Sequence, residues 1–125
     1  MLKTGGTTKA VGDAAEARAL AYLQRQGLTL VQRNYRVARG PRARGGEIDL
    51  ILRDRDGTLV FCEVRARRSQ AQGGAGASVN AAKQRSLVLA AQHYLQRLTR
   101  LPDCRFDVVA IDGEHVEWLP GAFTA

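Results

Sequence analysis

Four charged residues alternate with apolar ones in two neighbouring segments of this 125-residue chain. Glu47 and Asp49 lie in the first segment, and Glu63 and Arg65 lie in the second. The string Asp54-Arg55-Asp56-Gly57 separates the segments and is a strong signal for a β-hairpin. Carboxylates that meet across such a hairpin can bind a hard cation such as Mg²⁺, which keeps waters and phosphate oxygens as its other ligands. The pattern therefore points to hydrolysis of a phosphodiester by metal-activated water.

The register of the hairpin decides which of these side chains meet. If the turn is a three-residue loop with Gly57 in the left-handed conformation, Asp49 faces Glu63 and Glu47 faces Arg65. Alternation then places these four residues on one face of the ribbon. The other face collects the apolar side chains of Ile48, Leu50, Leu52, Val60, Cys62 and Val64. A two-residue turn would shift the register and separate the acids.

Two facing carboxylates repel each other, so they need a cation between them or one of them must take a proton. A divalent metal held by Asp49 and Glu63 is one solution. The other is a structural network of salt bridges, in which Arg65 and a neighbouring cation neutralise the pair. The residues alone leave both interpretations open.

One acidic residue on the first predicted helix is a further candidate for the site. The string Asp13-Ala14-Ala15-Glu16 has the pattern of a capping box and predicts a helix from Asp13 to about Gln26, ending before Gly27. Glu16 lies seven residues before Leu23, so it shares the apolar stripe of this helix. Glu16 therefore either caps the helix or reaches an interior site.

The remaining hydrophobic pattern predicts a second helix and several strands. The helix covers about residues 79–98 and places Lys83 four residues before the buried Leu87, where a lysine is more often a snorkelling side chain than a catalytic one. The strands are expected at 28–37, 46–53, 58–65, 105–111 and, more briefly, 116–119. The order α-β-β-β-α-β predicts one α/β domain, with a mixed sheet flanked by helices. Residues 1–12 and 67–77 are expected to be flexible.

The charge balance favours a polyanionic partner. Nineteen Lys and Arg residues against twelve Asp and Glu residues give a net charge of +7. Basic side chains that neutralise phosphates release condensed counterions, so nucleic acid is the expected partner. The arginines that flank the predicted site are the expected phosphate contacts, although each alone is also typical of a solvated surface: Arg36, Arg39, Arg42, Arg44, Arg67 and Arg68.

Localisation follows from what the sequence lacks. The first residues have no apolar signal region, and no stretch approaches the roughly 18 apolar residues of a membrane span. Cys62 and Cys104 have no metal-ligand spacing and are expected to be two buried thiols in a reducing compartment. The sequence therefore predicts a cytoplasmic protein that does not contact a membrane.

The chain resembles a known family in its motifs and their order. The strings Gly46-Glu47-Ile48-Asp49-Leu50-Ile51 and Phe61-Cys62-Glu63-Val64-Arg65 resemble the Asp…Glu-x-Lys signature of PD-(D/E)XK nucleases. Nearly the whole chain resembles the bacterial YraN-like family, which is largely uncharacterised. The other matching pieces are Gly12, Glu16-Ala17, Tyr22-Leu23, Arg33-Asn34-Tyr35-Arg36, Lys83 and Arg105-Phe106-Asp107-Val108-Val109. This resemblance implies a restriction-endonuclease-like fold related to Holliday-junction resolvases.

The resemblance also implies roles for individual residues. Glu16, Asp49 and Glu63 would be the acidic site residues that hold Mg²⁺ or Mn²⁺. Arg65 stands where the family pattern has lysine, and arginine cannot lose its proton to act as a base, although it can contact phosphate through two N–H groups. From the helix phase, Lys83 is the candidate replacement for the missing amine.

Three functions remain from these observations. The first is a Mg²⁺-dependent endonuclease that cuts structured or branched DNA, and the analogy with two-fold symmetric resolvases predicts a homodimer. The second is a DNA- or RNA-binding module that keeps the nuclease fold without catalysis. The third is a partner-binding adaptor that uses the Ala- and Leu-rich second helix and has no affinity for nucleic acid.

Overall fold

The computed structural model describes residues 8–38, 41, 45–67 and 79–125, and it describes only the backbone at residues 8–11 and 67. Two helices and five strands follow one another along the chain. They are α1 (Thr8–Arg25), β1 (Thr29–Val37), β2 (Gly46–Arg53), β3 (Leu59–Arg67), α2 (Ala81–Leu95), β4 (Cys104–Asp112) and β5 (His115–Phe123). This order confirms the predicted α/β class. The predicted flexible segments, 1–12 and 67–77, lie mostly outside the described residues.

The five strands form one mixed sheet in the order β1-β2-β3-β4-β5. All neighbours are antiparallel except β3 and β4, which are parallel and are connected through α2. A parallel pair needs such a crossover, because the chain must return to the same end of the sheet. One helix covers each face: Ala19 and Leu23 of α1 are fully buried on one face, and Leu87 and Ala90 of α2 on the other.

The start of α1 differs from the prediction. The helix begins at Thr8, so Asp13 and Glu16 lie within it and do not cap it. The cap pattern was a local signal, and it is overridden because the preceding residues also continue the helix. The predicted end is correct, since Gly27 follows the helix with φ of 101°, a left-handed conformation that glycine adopts without strain.

The predicted register of the hairpin is confirmed. Leu50 pairs with Cys62 and Leu52 with Val60, as a three-residue loop requires. Gly57 has φ of 92° and supplies the left-handed position of that loop.

Pairing between β2 and β3 stops at Leu50 and Cys62. Beyond this point β2 continues to pair with β1, with Glu47 opposite Arg36, while β3 continues to pair with β4, with Glu63 opposite Val108. The expected pairs of Asp49 with Glu63 and of Glu47 with Arg65 are therefore absent from the ladder, and that part of the prediction is wrong. The sheet divides here into two arms, and we call this division the fork.

The alternation of side chains also breaks at the fork. Ile48 was expected to share a face with Leu50, but Ile48 packs in the core beneath α2, whereas Leu50 packs in the core beneath α1. Asp49 is the residue between them, so its side chain is not tied to the alternation of a regular strand. The irregularity frees Asp49 to reach β3.

Two further expectations concern membranes and thiols. Neither described helix combines the length and apolar character that a membrane span requires. Cys62 is buried as expected, but Cys104 is exposed, because it begins β4 directly after an exposed loop. Both cysteines are free thiols.

A tight contact between β2 and α2 fixes the position of the site. A Cβ atom on Gly46 would lie 2.5 Å from the carbonyl oxygen of Ser86 and 2.9 Å from the amide nitrogen of Ala90. These are backbone atoms and cannot rotate away. We therefore predict that Gly46→Ala lowers the free energy of unfolding by about 1–3 kcal/mol, measured by urea denaturation.

Gly12→Ala is the matched control for that measurement. Gly12 lies inside α1, and a Cβ atom there would meet nothing within 4 Å. This substitution should raise the free energy of unfolding by about 0.5–1 kcal/mol, because alanine favours the helix. Equal stabilities for the two variants would contradict the proposed contact.

Candidate active site

The two acidic residues of the hairpin meet at the fork. Only 8% of Asp49 and 5% of Glu63 is exposed. Oδ2 of Asp49 accepts a hydrogen bond of 2.8 Å from the backbone N–H of Val64. This carboxylate occupies the place of a backbone acceptor that the divergence of the strands has removed. We call Asp49 and Glu63 the acidic pair.

Burial makes the charged form of the acidic pair unfavourable. Burial raises the pKa of Asp49, although the hydrogen bond from Val64 opposes the shift. Burial and then the nearby charge of Asp49 raise the pKa of Glu63 to about 7. Two carboxyl groups with raised pKa values favour either a shared proton or a bound cation at neutral pH.

Two cationic side chains approach the acidic pair from different elements. Nη1 of Arg65 lies 3.4 Å from Oε2 of Glu63, and Nζ of Lys83 lies 3.9 Å from the same oxygen. Lys83 stands in the first turn of α2, where its backbone N–H donates to the side chain of the capping residue Asn80 at 2.9 Å. The fold thus brings to the acidic pair the lysine that helix phase singled out.

Glu16 approaches the acidic pair from α1. Burial is the main cause that raises its pKa, and the negative charge of Asp49 raises it further. Its Oε1 atom is buried and has no hydrogen-bond partner among the described residues, although Nη2 of Arg33 lies 3.7 Å away. Glu16 is therefore near enough to Asp49 to be affected by its charge and has capacity for a further donor.

The three predicted acidic ligands do not form one group. Among the described residues, no set of three or more His, Cys, Asp or Glu side chains is arranged to hold a metal ion. The acidic pair alone still fits a hard cation, because Mg²⁺ and similar ions accept one or two carboxylates and take waters and phosphate oxygens as further ligands. Glu16 lies beside this donor set.

The predicted phosphate contacts can be placed only in part. Arg36 on β1 forms an ion pair of 3.6 Å with Glu47, and 70% of the Arg36 side chain is exposed. Glu47 was expected to face Arg65, and its partner is instead Arg36 because β2 follows β1 beyond the fork. Arg39, Arg42, Arg44 and Arg68 lie outside the described residues, as does the side chain of Arg67.

Sequence reasoning missed two residues beside Glu16. Arg33 forms the ion pair with Glu16, and a hydrogen bond from Asn34 lowers the pKa of Glu16. Asn34 has a left-handed backbone with φ of 53°. The only available signal was that both residues belong to a string shared with the resembled family, since nothing local links them to α1.

A separate buried network lies on β4. Oδ1 of Asp107 accepts a hydrogen bond of 2.9 Å from Arg105, and the Asp107 side chain is fully buried. Its oxygens also accept from the indole of Trp118 and from the backbone of Gly121 on β5. Asp107 therefore has its acceptors filled and ties β4 to β5, which agrees with a structural role.

The raised pKa of Glu63 predicts how stability depends on pH. The folded protein holds a proton on Glu63 up to pH of about 7, whereas an ordinary glutamate has a pKa of 4.5. The folded state binds more protons between these values, so stability falls as pH rises through this range. The experiment compares the free energies of unfolding of Glu63→Gln and of the unmodified protein in EDTA. We expect the difference in favour of Glu63→Gln to increase by on the order of 1–2 kcal/mol from pH 5 to pH 8.

The measurement is urea denaturation at both pH values. Glu114→Gln is the control, because Glu114 is exposed in the turn after β4 and should leave the pH dependence of the unmodified protein in place. If the unmodified protein and Glu63→Gln show the same pH dependence of stability, the pKa of Glu63 is not raised in the folded protein.

The sequence of this chain is similar to those of known proteins. A model of the uncharacterised protein family UPF0102 matches residues 15–111. A UPF0102 protein of Methylibium petroleiphilum is 67% identical over 119 residues, which cover 95% of this chain and 98% of that protein. UPF0102 proteins of Paracidovorax citrulli and of an Acidovorax species are 62% and 60% identical, over 95% of this chain and 86% and 88% of those proteins. All the fork residues described above lie within the matched range.

Proposed function

Because this chain belongs to the uncharacterised protein family UPF0102, whose name carries no activity, we propose its function from its own site. We propose that the protein is a divalent-cation-dependent endonuclease, which hydrolyses phosphodiester bonds in structured or branched DNA. The observation that carries this proposal is the buried acidic pair, Asp49 and Glu63, with two cationic side chains within 4 Å of Glu63. The net charge of +7 and the resemblance to the PD-(D/E)XK signature support a nucleic-acid substrate.

Asp49 and Glu63 are the residues that would hold the metal. Bound Mg²⁺ or Mn²⁺ would polarise the phosphodiester and lower the pKa of a water molecule. The hydrogen bond from Val64 fixes Oδ2 of Asp49 and thereby fixes the direction of the whole carboxylate. Burial keeps most bulk water from the two carboxylates, so they would attract a metal ion at a low local dielectric.

Arg65 and Lys83 would act on the phosphate. Both side chains lie against Glu63, at distances of 3.4 and 3.9 Å. With the charge of Glu63 balanced by a bound metal, both would be available to contact a phosphate. Arg65 stays charged and stabilises negative charge on the phosphate, whereas Lys83 can also donate or accept a proton.

Glu16 would hold the attacking water. Its Oε1 atom lacks a hydrogen-bond partner among the described residues, and its carboxyl is close enough to Asp49 for their charges to interact. A water between Glu16 and the acidic pair would satisfy that oxygen. Arg33, at 3.7 Å, would keep Glu16 directed towards the fork.

A second candidate function is a nucleic-acid-binding module without catalysis. The observation that favours it is Arg65, because an always-charged guanidinium stands where the nuclease signature has a titratable amine. This candidate predicts binding of DNA or RNA without cleavage, with or without metal. A homodimer and a cytoplasmic location remain predictions by analogy and from the sequence.

The proposal is tested by cleavage of labelled duplex, single-stranded, flap and four-way-junction DNA in the presence of Mn²⁺ or Mg²⁺. We expect strand cleavage that EDTA abolishes and that Glu63→Gln and Asp49→Asn each reduce by at least about 100-fold. Asp49→Asn is informative because the asparagine oxygen can still accept the hydrogen bond from Val64, so the fork is retained.

Calorimetry separates the two candidate functions. The nuclease should bind Mn²⁺ in the absence of DNA, and Asp49→Asn should abolish that heat. Cleavage that survives in Glu63→Gln would indicate a contaminating nuclease. Absence of both metal binding and cleavage, with DNA binding intact, would replace the nuclease by the binding module.

The roles of the two cations can be tested by exchanging them. Lys83→Met should lower the cleavage rate by about 100-fold or more, because it removes the only amine that the described residues place near Glu63. Arg65→Lys keeps the charge and restores the residue type of the signature, so we expect it to retain or increase the rate. A rate that depends on Arg65 and is unaffected by Lys83→Met would contradict these roles.

A further inference from the structure

We propose that the fork binds the sugar-phosphate backbone of double-helical nucleic acid and makes no stacking contact with bases. This inference rests on the proposed function and specifies the substrate class of the same site. It follows from two independent observations: the cations around the fork are loosely paired, and the aromatic rings of the chain are already engaged with one another.

Four cationic side chains surround the acidic residues of the fork. They come from three elements: Arg33 and Arg36 from β1, Arg65 from β3 and Lys83 from α2. Each is more exposed than the acid it pairs with, with side-chain exposures of 34–70% against 7–45%. We call these four residues the cation ring.

The ion pairs of the cation ring are long. Their N to O distances run from 3.4 to 3.9 Å. By contrast, Arg105 approaches both Asp54 and Asp107 to 2.9 Å, the length of a strong charge-assisted hydrogen bond. The donors of the cation ring are thus incompletely used by the protein, and they remain available for phosphate oxygens.

None of the aromatic residues is exposed, and each is buried or half-buried. The chain contains three Tyr, three Phe and one Trp, seven in total, and all seven lie in the described part. Four are buried in the core beneath α2, namely Tyr35, Phe61, Tyr94 and Phe106. Tyr22 and Trp118 pack edge to face at 6.2 Å, and Phe123 stacks on Phe106 at 5.0 Å.

This distribution separates two ways of binding nucleic acid. Proteins that hold single strands stack bases on exposed aromatic rings, at about 1–3 kcal/mol for each base. A protein without such rings must gain its affinity from phosphates. The double helix offers phosphates on two strands at high linear charge density, and its bases are already stacked on each other. The cation ring therefore fits a duplex backbone, and its contacts do not read base sequence.

The test measures binding by fluorescence anisotropy with Ca²⁺ in place of Mg²⁺, and a gel verifies that the oligonucleotides remain intact. The probes are two DNA duplexes of equal length and different sequence, and one single strand of that length. We expect the affinities for the two duplexes to agree within about twofold, and the affinity for the single strand to be at least about fivefold lower.

Charge-removing variants test the cation ring itself. Arg36→Gln and Arg33→Gln should each lower the affinity for both duplexes equally, by about 3–10-fold. Each should also reduce the slope of log affinity against log salt concentration by about 1. Arg36 is largely exposed, so its substitution leaves the core unchanged even if loss of Arg33 beside the half-buried Glu16 disturbs folding. Arg100→Gln is the control, because it removes the same charge in the exposed loop before β4, away from the fork, and should leave affinity unchanged.

The outcomes distinguish this inference from the proposed function. Three outcomes would overturn backbone recognition by the cation ring: tighter binding of the single strand, a preference above about tenfold for one duplex, or a loss of affinity in Arg100→Gln equal to that in Arg36→Gln. Metal-dependent cleavage could still occur in each case. If none of the probes binds and no DNA substrate is cleaved with Mn²⁺, both the inference and the nuclease proposal are wrong.

Discussion

The hydrogen bond between the Asp49 carboxylate and the backbone N–H of Val64 is the interaction on which the fork depends. Two strands that separate leave unpaired backbone groups, and a buried N–H without a partner is costly. Here a side chain supplies the missing acceptor to Val64, two residues beyond the last residue of β3 that pairs with β2. The same bond that closes the end of the ladder also fixes one member of the acidic pair. Strand divergence and site formation are therefore one structural event.

The acidic pair and the network around Asp107 show two different uses of buried charge. Asp107 is fully buried, but donors from Arg105, Trp118 and Gly121 fill its oxygens, so its charge is balanced within the protein. Asp49 and Glu63 are almost as buried, yet their cations stand at 3.4 Å or more and their pKa values are raised. An incompletely balanced charge of this kind costs stability and is typical of functional sites.

The sequence predicted the local features of the site and missed those that depend on distant partners. The register of the hairpin followed from Gly57 and the alternation of apolar residues, because both act within one turn. The fork could not be predicted, since the end of pairing depends on β1 and β4 holding β2 and β3 apart. For the same reason Arg33 was not recognised, because its contact with Glu16 joins two elements whose packing no local pattern reveals.

The parallel pairing of β3 with β4 has a consequence for how the protein matures. Beyond Cys62 the only strand beside β3 in the described sheet is β4, which the chain reaches after the whole of α2. Such long-range pairing forms late, because a large loop must close first. During synthesis on the ribosome, Glu63 therefore remains on an unsupported strand until β4 has emerged. A chain that ends before β4 leaves both Glu63 and Val64, the donor to Asp49, on this unsupported strand, so the acidic pair forms only after β4 has been synthesised.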